Sequence, residues 1–176
     1  MAPATARILV LLMSIVAVYG LGKSGNSNLR SVDKRPRMEV LHEEARIFLF
    51  HNFLTEEECD HLISLAQPKL SRSGVVGDEE GHSKISDIRT SNGMFLQRDQ
   101  DHVVSEIERR IARWTLLPAE NGEGLQILRY DPSQKYDGHY DYFFDKAGIQ
   151  NGGNRYATVL MYLSDVEEGG ETVLYS

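Results

Sequence analysis

The stretch GLQILRYDPSQKYDGHYDYFF, residues 124–144, decides how the chain is read. Before it, apolar residues recur at the spacing of helices; within and after it they recur at the two-residue spacing of strands. GLQILRY (124–130) and GHYDYFF (138–144) read as strands on either side of a turn at Asp131-Pro132. YATVLMYLS (156–164) and ETVLYS (171–176) follow, bounded by Asn151-Gly152-Gly153 and Glu168-Gly169-Gly170. Upstream, Thr55 and Glu58 form a capping box ahead of an apolar face of Cys59, Leu62, Ile63 and Ala66, and Pro68 ends that helix. A second helix is predicted within 99–118, with Val104, Ile107, Ile111 and Trp114 on one face and Pro118 at its end. RIFLFHNFL (46–54) suits a strand, and the polar segment 71–87, with Gly74, Gly77 and Gly81, suits a loop or hairpin. Helices first and strands last predict an α+β protein in which a sheet packs on helices.

Composition narrows the function. The 176 residues carry a formal net charge of -7, which argues against non-specific nucleic-acid binding, since that needs a basic surface. Cys59 is the single cysteine, so no intrachain disulfide forms. After Arg7, ILVLLMSIVAVYGL (8–21) is free of charge, short for a membrane-spanning helix and long enough for the core of a signal segment. Residues 1–21 are therefore expected to be a signal peptide or signal anchor, 22–38 a linker, and 39–176 the globular part. Lys23, Arg30, Lys34, Arg35 and Arg37 follow the apolar segment and only Arg7 precedes it. Taken alone, that asymmetry would leave the globular part in the cytosol.

His139 and Asp141 carry the chemistry. On a strand, residues i and i+2 share a face, so the two side chains can converge on one ion. One imidazole and one carboxylate make up two-thirds of the facial triad that holds non-haem Fe(II). The same spacing also fits two polar residues of a strand that face water. The remaining histidines, His42, His51, His61, His82 and His102, all precede His139.

Four stretches in order go further: FLFHNFLTEEECDHLISLAQP, IRTSNGMFL, GEGLQILRYDPSQKYDGHYDYF and NGGNRYATVLMYLSDVEEGGETV. Through them the chain resembles the plant prolyl 4-hydroxylases of the Fe(II)- and 2-oxoglutarate-dependent dioxygenase family. The resemblance implies a double-stranded β-helix, or jelly roll, with supporting helices. It implies His139 and Asp141 as iron ligands, Tyr130 and Thr172 beside 2-oxoglutarate, and Arg89, Glu123, Tyr136 and Arg155 around the peptide groove. On the residues alone, Tyr130 and Tyr136 read equally as core aromatics, and Arg89, Glu123 and Arg155 as solvated charges. The implied reaction hydroxylates peptidyl proline of secreted proline-rich polypeptides, using Fe(II), 2-oxoglutarate and oxygen, with L-ascorbate to restore the iron. Cell-wall extensins and arabinogalactan proteins are the expected substrates.

The family draws its third iron ligand from a histidine downstream of GGET, and a cation for 2-oxoglutarate from a basic residue beyond it. Ser176 precedes both positions. The expectation is thus a jelly roll incomplete at its C-terminus, either part of an enzyme or an inactive form with a non-catalytic binding role. The resemblance also implies a single-pass anchor with the catalytic part in the lumen of the endoplasmic reticulum or the Golgi.

Overall fold

The computed structural model describes residues 12–20, 35–76, 83–144, 149, 153–166 and 168–174. Helix α1, Glu56–Ala66, begins as the capping box requires. The Thr55 hydroxyl accepts the Glu58 N–H at 3.2 Å, and the Glu58 carboxylate accepts the Thr55 N–H at 2.9 Å. Helix α2, His102–Thr115, is capped by the Asp101 carboxylate, which accepts the Val104 N–H at 2.9 Å. It ends at Leu116, in the left-handed region with φ 58°. Arg110 on α2 donates to both carboxylate oxygens of Glu58 on α1, at 2.6 and 2.8 Å, and to the Phe53 carbonyl at 2.6 Å. The two helices are therefore clamped by charge as well as packed.

Leu62 and Ala66 of α1 and Val104, Ile107 and Ile111 of α2 are buried against Leu96, Leu125, Ile127, Met161 and Leu163. These last five come from a five-stranded sheet and its flanks. The strands are β1 (Leu12–Gly20), β4 (Ser71–Arg72), β7 (Asn92–Phe95), β8 (Gln126–Tyr130) and β9 (Arg155–Tyr162), in the order β4-β7-β8-β1-β9. The β4–β7 and β7–β8 pairs are antiparallel, whereas β1 runs parallel to both of its neighbours. Strands β2 (Arg37–His42) and β3 (Ile47–His51) form a separate hairpin, and so do β5 (Gly74–Val76) and β6 (Ser83–Ile85). The Phe50 ring of β3 meets Trp114 of α2 edge-on at 4.6 Å, which ties the first hairpin to the helix layer.

The two helices, the strand before α1, the hairpin within 71–87, the strand after α2 and the α+β arrangement follow the sequence. Four features differ. Residues 138–144 are not a strand and bend at Asp141 and Tyr142; no described strand pairs with them, so the alternating pattern has no ladder to join. Residues 171–174 are likewise not a strand. The expected linker 22–38 ends early, because Arg37 and Met38 already pair with His51 and Phe50. The centre of the apolar leader is the strand β1, with Ala17 opposite both Ile127 and Met161. Among the described residues no helix is long and apolar enough to cross a membrane. The described strands form open sheets rather than a closed barrel.

Candidate metal centre

Strand β8 delivers Tyr130 to a turn in which the Gln134 N–H donates to the Asp131 carbonyl at 3.0 Å. The next residues lie against 88–90. The Thr90 N–H donates to the Lys135 carbonyl at 2.8 Å, the Lys135 N–H to the Thr90 hydroxyl at 2.7 Å, and the Asp137 N–H to the Ile88 carbonyl at 2.9 Å. That seam sets the Arg89 guanidinium over the Tyr136 ring, 4.6 Å from its centroid. The other stacking contact of Tyr136 is the His139 ring, with centroids 3.8 Å apart and planes within 19°.

His139 Nδ1 lies 3.0 Å from the Asp137 carbonyl. A carbonyl only accepts, so Nδ1 carries the hydrogen and Nε2 presents its lone pair in the neutral imidazole. That lone pair faces Asp141 Oδ1 at 3.2 Å. Two acceptors at this distance repel unless a positive charge lies between them: a proton or a metal ion. The pair accordingly raises the pKa of His139, chiefly through Asp141, and lowers that of Asp141, chiefly through His139. Fixing Nδ1 with a carbonyl is also how metal-binding histidines are oriented.

Asp141 has two further neighbours. Its Oδ2 accepts from the Thr158 hydroxyl on β9. Arg155 Nη1 stands 4.0 Å from Oδ1. Arg155 itself is engaged elsewhere: Nε and Nη2 donate to Glu123 at 2.7 and 2.9 Å, and its guanidinium lies over the Phe143 ring at 4.8 Å. Burial works against the Arg155 charge, yet Glu123 and Asp141 hold its pKa above the ordinary value. In place of a strand partner, the Asn154 side chain accepts the Phe143 N–H at 2.8 Å and donates to the Phe143 carbonyl at 2.6 Å.

Six of the eight residues expected from the sequence thus form one chain of contacts: Arg89, Tyr136, His139, Asp141, Arg155 and Glu123. Tyr130 joins it through Ser91 and Arg89, with burial raising its pKa. Thr172 stands apart, bonded to the Tyr162 hydroxyl at 2.6 Å near the far end of β9. Sequence reasoning missed Thr158, Asn154, Ser91 and Tyr162. Burial and its acidic neighbours push the Cys59 thiol up to about 11, which disfavours the thiolate at neutral pH.

One nitrogen and one hard oxygen converging on a single point suit Fe(II), with the other coordination positions left to further ligands. Among the described residues no group of three His, Cys, Asp or Glu surrounds a common point. The family model for the 2OG-Fe(II) oxygenase superfamily matches residues 125–176, the segment that contains His139, Asp141, Thr158 and Thr172. Residues 125–176 belong to the 2OG-Fe(II) oxygenase superfamily.

Membership implies Fe(II) and 2-oxoglutarate, and the oxygenase pair His139–Asp141 is the part of this chain that fits the metal. The chain is similar to "Probable prolyl 4-hydroxylase 3" of Arabidopsis thaliana, at 54% identity over 154 residues, covering 88% of this chain and 50% of that protein. It is 58% identical over 136 residues to "Prolyl 4-hydroxylase 5" of the same plant, covering 77% of this chain and 47% of the relative. To "Prolyl 4-hydroxylase 2" it is 48% identical over 168 residues, 96% of this chain and 54% of the relative. The chain spans about half the length of the curated relatives it matches.

Proposed function

We propose that this chain is a prolyl 4-hydroxylase polypeptide, with His139 and Asp141 as two of its iron ligands, in a domain of double-stranded β-helix type. The observation that carries the reading is the His139 Nε2 lone pair facing Asp141 Oδ1 at 3.2 Å, a gap that calls for a cation. Bound Fe(II) with 2-oxoglutarate and O2 would supply the oxidation, one oxygen atom going to a peptidyl proline and the other to succinate as carbon dioxide is released, with L-ascorbate keeping the iron ferrous. The chain's own residues bind and orient. Tyr136 holds the His139 ring by stacking, and Arg89 lies over the Tyr136 ring. Glu123 holds the Arg155 guanidinium beside the site, where its edge and the Tyr136 hydroxyl are suited to peptide carbonyls. Tyr130 and Thr172 are assigned to 2-oxoglutarate.

The test is hydroxyproline formation on a proline-rich secreted-type peptide with Fe(II), 2-oxoglutarate and ascorbate. The expected result is a product lost in both His139→Ala and Asp141→Ala. Product that survives either substitution overturns the assignment.

One observation favours a second reading: no third protein ligand joins the pair among the described residues. A chain in that condition would bind proline-rich peptide without turning it over. Peptide binding that weakens in Arg155→Ala, with no hydroxyproline formed, would select this reading.

The substrate class places the protein in the lumen of the endoplasmic reticulum or Golgi, delivered by the apolar segment near its N-terminus. A glycosylation sequon introduced within 22–38 should be modified in microsomes. A membrane-bound but unmodified protein contradicts the lumenal placement.

A further inference from the structure

A carboxylate that binds a metal through one oxygen needs something to hold the other. Without that, its terminal torsion is broad and the group turns or chelates. Asp141 has its two oxygens divided between two partners. Oδ1 faces His139 Nε2 at 3.2 Å, and Oδ2 accepts the Thr158 hydroxyl.

The two sides of that bond differ in rigidity. Thr158 sits in the middle of β9, in register with Ser14 of β1, and its β-branched side chain has few rotamers. Asp141 lies in a segment that no described strand pairs, with the Asn154 amide bonded to Phe143 nearby. The fixed partner is therefore the threonine, and the mobile one is the ligand. There is also a competitor. Arg155 Nη1 is 4.0 Å from Oδ1, while its Nε and Nη2 are occupied by Glu123. A carboxylate released from Thr158 can rotate onto that free nitrogen and away from the metal.

We infer that Thr158 is the positioning residue of the metal centre: its hydroxyl selects which oxygen of Asp141 is presented beside His139 Nε2. The inference rests on His139 and Asp141 being the iron ligands. Thr158 acts through Asp141 and touches neither the metal nor the substrate.

The full chain is titrated with Co(II), an air-stable divalent ion that accepts the same N and O donors. The readouts are the dissociation constant and the visible absorption of the bound ion. Thr158→Val keeps the shape and strand preference but removes the hydroxyl. It is expected to weaken Co(II) binding by about 10-fold or more, the range for loss of a group that orients a ligand, and to change the band shape. Thr158→Ser keeps the hydroxyl and is expected to bind with the wild-type spectrum.

Metal-free melts check that the variants fold. Should the valine variant not fold, Thr158→Ala against Thr158→Ser carries the same comparison. Wild-type affinity and spectrum in the hydroxyl-free variant overturn the positioning role. Wild-type Co(II) binding in His139→Ala, or no Co(II) binding by the wild-type chain, instead overturns the ligand assignment, and the inference with it.

Discussion

Glu58 shows what one charge does away from the metal site. Its carboxylate receives both Arg110 nitrogens and the Thr55 N–H, and the Arg110 guanidinium holds its pKa below the ordinary 4.5. A carboxyl group whose pKa is lower in the folded state stabilises the fold above its unfolded pKa. That contribution is lost as the pH falls through the depressed folded value. Glu58→Gln should therefore cost about 1–3 kcal/mol at neutral pH, the worth of hydrogen bonds to a charged group. The gap to the wild type should close in acid, below the ordinary glutamate range, in urea melts at the two pH values. At this scale the meeting of His139 with Asp141 was legible because they are two residues apart, and the capping box because its partners are three apart. Thr158 and Asn154 were not. Their bonds to Asp141 and Phe143 cross 17 and 11 positions. In sequence a threonine inside a strand run is only a good strand former, and an asparagine after two glycines is only a turn residue.

Among the elements, β7 and β8 approach each other over a glycine. A Cβ at Gly93 would meet Leu128 Cδ2 at 2.6 Å, Ser73 Oγ at 2.9 Å and the Ile127 carbonyl oxygen at 3.2 Å. Backbone cannot move aside, so Gly93→Ala should destabilise the sheet by about 1–3 kcal/mol, read from the denaturant midpoint. The segment 138–144 offers a second check. Its order depends on the Asn154 amide, so Asn154→Ala should speed amide exchange at Phe143 while leaving exchange in α2 unchanged. Both helices were legible because period and caps are local signals. Residues 138–144 were expected as a strand because alternation is local too. A strand also needs a neighbour, and neighbours are set by distant parts of the chain. The apolar run 8–21 has two readings for a related reason: a short apolar run without a polar face fits a signal core and a strand equally well.

At the scale of the whole molecule, β1 is the fourth of the five strands in the larger sheet and joins β8 to the edge strand β9. Ala17 lies opposite Ile127 on one side and Met161 on the other. Ala17→Pro removes a ladder N–H in a strand paired on both sides, leaving an acceptor unfilled at about 1–3 kcal/mol. The melting temperature of the full chain in aqueous buffer should fall accordingly. An unchanged melt would mean that the globular part does not use this strand. The position of β1 also carries a consequence in time. Leu12–Gly20 is made near the start of synthesis, but its partners are complete only once Tyr162 has been added. At roughly 5–20 residues per second the segment waits on the order of ten seconds without a sheet to enter. The larger sheet therefore closes late, around a strand that is made long before either of its neighbours.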